Sequence, residues 1–392
     1  MTLTSQFDHN SPEFIANPYP VYSELRENDP VHFSEAYGGY YVLTRYEDVR
    51  NALLDWELFS SARPGVTSIP ASVKRDFQEI PLEFDPPDHT PYRKLISQFF
   101  TRNAIKELEP GFHDIAAGLL GPMVEAGGGD FVQDFALPYV SRVLAYFLQV
   151  PAADSERWIQ WAKAIFHGRL TDRARADRAS DEMIAYVDSL AEERRQAPGH
   201  DLFSVLVTAQ FHGRALTAEE LHGYGVLMLN AGQETSVNGI GNSLWYLAEH
   251  PDDRERLMRE PELLDDAIEE FLRLMSPIQL LGRTTTAHTA LHGRDVPAES
   301  TVAMCYAAAN RDPERFADAD QCVIDRRPNP HLAFGSGPHT CLGAHLARAE
   351  IRVALQEVFR MMPGYRLDPD GSIEFTPHGD LRGFWKLPMR VS

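Results

Sequence analysis

The chain has 392 residues, 43% of them apolar, and its 57 acidic against 37 basic side chains leave a formal net charge of −20. That balance weighs against nucleic acid, which wants a basic surface, and against anionic membranes; it favours a soluble monomer. Three cysteines, Cys305, Cys322 and Cys341, are too few for a disulfide scaffold and too far apart for a zinc site, so a reducing cytoplasm is the expected compartment.

Residues 1–19 hold Asp8, Glu13 and two prolines and lack the basic, apolar character of a signal peptide. No window approaches the run of about eighteen apolar residues that a membrane span needs. Residues 31–33 and 40–43 read as short strands, with Gly38-Gly39 turning the chain between them into a hairpin. A small helix is predicted over 46–54. Residues 61–81, rich in Pro and Ser, have no period and read as a long loop, a feature that is usually functional in a compact domain.

From Pro91 onward the pattern is mostly helical. Thr217-Ala218-Glu219-Glu220 is a capping box, and no proline follows until Pro251. A helix of roughly 30 residues there would run about 45 Å. It carries Gly223, Gly225, Gly232, Gly239 and Gly241, each unfavourable by about 1 kcal/mol in a helix interior, which points to close packing or a local distortion. A helix over 262–274 should stop before Pro277. Residues 283–309, rich in Thr and Val, read as β-hairpins. A last helix is predicted over 344–359, with short strands and turns from Tyr365. The expected fold is mainly α with a smaller β region. No linker divides it, so residues 1–392 read as a single domain.

The chemistry concentrates in Phe334-Gly335-Ser336-Gly337-Pro338-His339-Thr340-Cys341-Leu342-Gly343. Two glycines let the backbone turn tightly and approach a flat ligand. Cys341 falls at the mouth of the helix predicted from Ala344, whose N–H groups and dipole favour a thiolate. A lone cysteine in a glycine loop is more often simply buried; here every fixed position of F-G-x-G-x-H-x-C-x-G is present.

This decapeptide resembles the haem-binding signature of the cytochrome P450 superfamily, in its soluble bacterial form. Four more motifs stand in the family's order, so the resemblance runs from Asn17-Pro18-Tyr19 to Leu387-Pro388. It implies a haem-thiolate monooxygenase with a long central helix over haem b, and Cys341 as the iron ligand. Glu270-Phe271-Leu272-Arg273 matches the family's E-x-x-R. In isolation that spacing is usually a solvated surface pair; the resemblance implies a buried pair anchoring the loop before the cysteine. Gln321-Cys322 replaces the family's usual Arg-Phe there, and Arg326 is the candidate third member.

Ala231-Gly232-Gln233-Glu234-Thr235-Ser236 matches the family's acid–alcohol stretch. The resemblance gives Glu234 and Thr235 the proton relay and sets Ala231 and Gly232 against the cofactor. Asp85-Pro86-Pro87-Asp88-His89-Thr90-Pro91-Tyr92-Arg93 supplies His89 and Arg93, which with Arg283 and His339 are implied as donors to the haem propionates. Phe334 and Gly343 complete the cofactor contacts. Ala309-Asn310-Arg311-Asp312-Pro313 matches a structural stretch and is assigned no chemistry.

The implied reaction inserts one atom of O2 into a small hydrophobic substrate. Electrons come from NAD(P)H through a ferredoxin reductase and an acidic ferredoxin, since the chain has no flavin or iron–sulfur motif of its own. Residues 34–39 resemble monoterpene hydroxylases of the family, pointing to a terpenoid or aromatic substrate. The resemblance lines the pocket with residues 61–81, 158–170, 278–281 and 383–385 and the long helix, where Asn230 either meets a polar group on the substrate or bonds neighbouring backbone. Arg93, Lys94, Arg102, Lys106, Arg348 and Arg352 are the expected basic face for the ferredoxin. A peroxide-driven peroxygenase of the same fold is one alternative, against which Glu234 and Thr235 argue; a haem sensor and a structural protein with a buried cysteine are others.

Overall fold

The computed structural model describes residues 7–70 and 77–391. Its sheet grows from the predicted hairpin: β1 (Val31–Ser34) pairs antiparallel with β2 (Tyr40–Leu43). The sheet is completed by β3 (Phe59–Ser60), β4 (Leu280–Thr285) and β5 (Thr301–Cys305), in the order β1-β2-β5-β4-β3. Only the β5/β2 pair is parallel, as expected when some 260 residues of helical chain separate two neighbours. After Thr301, strand β5 is apolar (Val302, Ala303, Met304, Cys305) and buried on both faces. The β assignment of residues 283–309 needs two corrections. Strand β4 begins earlier, at Leu280, and Tyr306–Ala309 is a helical turn, where three successive alanines follow the last β-branched residues.

The helical layer is built from α1 (His89–Ile96), α2 (Arg102–Ala126), α3 (Leu137–Leu148), α4 (Asp154–Thr171), α5 (Arg173–Gln196), α6 (Ala218–Ala231), α7 (Glu234–Glu249), α8 (Leu264–Met275) and α9 (Ala344–Met361). The Thr217 capping box is present, with Thr217 Oγ1 accepting from Glu220 N and Glu220 Oε2 accepting from Thr217 N. One core, containing Phe112, Tyr139, Trp158, Leu244, Phe271 and Ile351, unites these helices. A second, with Val31, Val49, Val302 and Met304, backs the sheet. None of the described helices is long and apolar enough to cross a membrane.

The predicted 30-residue helix is two helices in line. Gly232 and Gln233 interrupt it, Gln233 standing at φ −103°, ψ −76°. The bonds lost at the break are replaced by side chains: Gln233 Nε2 donates to Leu229 O at 2.7 Å, and Thr235 Oγ1 donates to Ala231 O at 3.1 Å. Ser141 Oγ on α3 then donates to Gln233 Oε1 at 3.2 Å and ties the break to the core.

Of the 61–81 loop, residues 71–76 lie outside the described residues; 61–70 and 77–81 hold no helix or strand. Its end lies on α6, because a Cβ at Gly223 would sit 2.2 Å from Gln78 O. Glu83, fully buried, accepts from Gly65 N at 2.6 Å and Glu79 N at 2.9 Å, drawing the two ends of the loop together.

Candidate functional site

The loop before Cys341 is fixed from behind by α8. Glu270 and Arg273 are both fully buried and doubly bonded, Nε to Oε2 and Nη2 to Oε1, each at 2.8 Å. Arg326 Nε adds bonds at 3.1 and 3.0 Å to the two oxygens of Glu270, so it is the third member. Val323 N and Asn329 Nδ2 also donate to Glu270. Arg273 spends its remaining donors on Asn310 O, Ala319 O and Gln321 O. These bonds compensate the burial of the charges. Asn310 Nδ2 donates to Ser276 Oγ and its Oδ1 accepts from Leu332 N, so this turn fastens the loop to α8.

The loop then turns at Gly335 and Gly337, with φ of 70° and 72°. A Cβ at Gly337 would lie 2.8 Å from Leu53 O, so a side chain is refused on two grounds. Cys341 N donates to Phe334 O at 2.9 Å and closes the turn. The Arg348 guanidinium lies 4.3 Å over the Phe334 ring. Cys341 keeps accessible surface although protein crowds it closely. Desolvation raises its thiol pKa; the Gly343 N–H, Arg93 and Arg348 pull it down. Gly343 is the N-cap of α9, so Cys341 stands just before a helix N-terminus as predicted.

Four basic side chains gather beside this turn. The His89 and His339 rings are 4.5 Å apart. Both nitrogens of His89 and Nε2 of His339 are buried without a hydrogen-bond partner. Arg283 is buried, and its Nη1 donates to its neighbour's carbonyl, Gly282 O, at 2.8 Å. Arg93 Nη2 donates to Thr340 O at 2.7 Å. Desolvation lowers the pKa of Arg93, His339 and His89, the last to about 4. Asp85, which accepts from Ser61 N at 2.9 Å and sits 3.8 Å from His339, is the nearby acid. Buried donors without acceptors are rare in folded proteins and mark a site for an anionic ligand. This donor set beside a thiol suits a flat, dianionic group that also offers a metal to sulfur.

A family model described as Cytochrome P450 matches residues 158–379. Vitamin D(3) 25-hydroxylase of Pseudonocardia autotrophica is 37% identical over the whole chain and 98% of that protein. The chain belongs to the cytochrome P450 family. A second relative, cytochrome P450 monooxygenase PikC of Streptomyces venezuelae, is 35% identical over 96% of this chain and 92% of its own. The testosterone complex of CYP109E1 from Bacillus megaterium superposes with a TM-score of 0.89 and 33% identity, covering 97% and 100% of the two chains. As a cytochrome P450 monooxygenase, this enzyme binds haem b and uses O2 and electrons from redox partner proteins. The basic cluster fits that cofactor, since haem b carries two propionates.

The break between α6 and α7 sets Ala231 and Gly232 at one end and Glu234 and Thr235 at the other. Ala231 is exposed and Gly232 half-buried. Glu234 is 7% exposed, and burial raises its carboxyl pKa to about 7, with Lys163 the opposing influence. Such a group exchanges protons near neutrality. Gln233 is the residue that makes the break tenable. Asn230 Oδ1 is buried without a partner.

Glu350 on α9 carries no mark of burial in the sequence. It is 1% exposed, accepts from Ser236 Oγ at 2.5 Å, and burial lifts its pKa to about 8. Its effect on stability has a definite sign. The folded pKa lies above that of the unfolded chain, so folding takes up a proton between about pH 4.5 and 8. Its contribution is fully present below that window and is lost as pH rises through it, at up to about 1.4 kcal/mol per pH unit. Glu350→Gln is therefore expected to flatten the fall in melting temperature between pH 5 and 8. Parallel melting curves for the two proteins across that range would show that Glu350 ionises normally.

Proposed function

We propose that this enzyme inserts one atom of O2 into a small hydrophobic substrate, of terpenoid or aromatic type, with the whole chain acting as one haem-thiolate domain. Cys341 is the iron ligand. His89, Arg93, Arg283 and His339 hold the propionates, and Ala231, Gly232, Phe334 and Gly343 pack against the macrocycle. The observation that carries this reading is the set of buried, unmatched donors on His89 and His339 beside the Cys341 turn. Haem b, bound to the thiolate, supplies O2 activation. Burial and the raised pKa let Glu234 hold a proton near pH 7, and the Thr235 hydroxyl, anchored on Ala231 O, presents one at the break. A substrate that is mostly hydrocarbon is supported by relatives named for vitamin D(3) and crystallised with testosterone.

The test is coupling. Thr235→Ala should keep consuming NAD(P)H and O2 while product per NAD(P)H falls at least on the order of tenfold and hydrogen peroxide rises; a positioned proton donor is typically worth about 100- to 10,000-fold. Glu234→Gln should slow the whole cycle. Unchanged coupling in both variants would refute the relay and favour the peroxygenase alternative.

We infer further that electrons arrive from NAD(P)H through a ferredoxin reductase and an acidic ferredoxin, docking on the cysteine side. The basic face is narrower than the sequence implied. Arg348 is held by Glu269 at 2.6 and 2.7 Å, and Arg352 by Glu109 and Asp265. Lys94, Arg102 and Lys106 remain exposed. Charge reversal at Lys94 and Arg102 should slow reduction by an acidic ferredoxin several-fold at low salt and leave dithionite reduction untouched, because rim charges act mainly on association rate. Equal rates at all ionic strengths would place the docking face elsewhere.

A further inference from the structure

Asn238, one turn beyond Glu234 on α7, has no assigned role, yet it is 1% exposed and both its amide atoms are buried without a partner. We propose that Asn238 positions the Glu234 carboxyl through one internal water, and that protons reach Glu234 from the 382–385 turn and not along the path of the substrate. This rests on the reading of Glu234 as a proton carrier.

Glu234, Asn238 and Asn242 recur at four-residue intervals within one unbroken helix and so share a face. The opposing surface is the turn entering β6 (Phe384–Lys386), labelled here after the five sheet strands. A Cβ at Gly383 would lie 2.0 Å from Asn238 Oδ1, so the turn bears directly on the amide. Asn242 Nδ2 donates to Arg382 O at 2.9 Å. Gln133 Nε2 donates to Trp385 O at 2.7 Å, and Lys163 Nζ, 5.2 Å from the Trp385 ring centre, donates to Gln133 Oε1 at 2.8 Å. Four polar side chains, Asn238, Asn242, Gln133 and Lys163, from three parts of the chain thus surround one short turn.

An amide with both ends unmatched would be disfavoured in a dry core. Glu234, one turn back on the same face of α7, makes no side-chain hydrogen bond among the described residues and can share a water with it. A water there meets the amide N–H, the amide oxygen and the carboxyl, enough partners to be held. Glu234 then passes its proton toward Thr235 and regains one from the water, which is replenished through the Gln133–Lys163 side; no bond other than O–H changes. Lys163 on α4 is the charged group that acts on Glu234, favouring its ionised form, and Asp130 acts in turn on Lys163. The turn's one charged residue, Arg382, aims its guanidinium away, donating to Ile15 O at 2.5 Å, and Glu350, bonded to Ser236, meets the opposite face of α7.

The experiment follows Glu234 itself. In the substrate-free ferric holoprotein, the C=O stretch of the protonated carboxyl, assigned by its loss in Glu234→Gln, is titrated by infrared spectroscopy. An amide-held water favours the charged form, so Asn238→Leu should raise the midpoint by about one pH unit. Asn238→Ser, which keeps a hydroxyl for the water, should return it to near the wild-type value. Asn238→Ala serves in place of leucine if that variant does not fold. A midpoint unmoved in both apolar variants overturns the proposal and leaves Asn238 a packing residue. If instead Glu234→Gln turns over at the wild-type rate, it is the relay reading that falls.

Discussion

Cys341→Ser is expected to abolish the red-shifted absorption of the ferrous–CO complex and, with it, turnover. The reason lies in what each side chain offers at neutral pH. Gly343 N–H, Arg93 and Arg348 all favour the ionised sulfur against the cost of its surroundings, and metal coordination removes a thiol proton outright. A serine hydroxyl in that place stays protonated and lacks the electron donation a thiolate gives haem iron. Haem should still bind, in lower amount, through the His89, Arg93, Arg283 and His339 donors. A serine variant that keeps both the red-shifted band and full turnover would show that Cys341 is not the ligand.

Glu270→Ala should be nearly as severe without touching the cofactor. It strands Arg273 and Arg326 as unpaired guanidiniums, the first fully buried, and frees Val323 N and Asn329 Nδ2. Breaking a buried pair typically costs about 3–5 kcal/mol, against a total folding stability of about 5–15 kcal/mol. Expression should fall sharply, and what folds should melt well below the wild type and hold little haem. Arg273→Lys should be similarly damaged, because one ammonium cannot replace a fork that serves Glu270 and three carbonyls. A Glu270→Ala protein with wild-type melting and haem content would remove this node from the account.

The parts legible in the sequence were those where several residue types must coincide in a short stretch. The Cys341 turn, the Thr217 cap and the Glu270–Arg273 spacing are of that kind, and each stands where expected. Features set by partners distant in the chain were not legible. Arg352 looks free on its own helix and is paired with Glu109, 243 residues away. Glu350 reads as a surface acid until α7 brings Ser236 against it. The helix break was half visible: glycines and an acid–alcohol pair marked a distortion, but no pattern announces that the Gln233 and Thr235 side chains replace two lost backbone bonds. The burial of Asn238 was hidden for the same reason, since its opposing surface is Gly383.

The arrangement around Glu270 also bears on how the chain reaches this state. Its bonds to Val323, Arg326 and Asn329 close loops of 53 to 59 residues, whereas the helices they fasten are local. Loop closure must be met before such contacts return anything, so helices form early and these closures late. Until then the segment bearing Cys341 hangs from an unanchored stretch of chain, and the turn that sets its sulfur before α9 is not yet held in place. The geometry of that turn therefore depends on contacts that form only once most of the helical layer already stands.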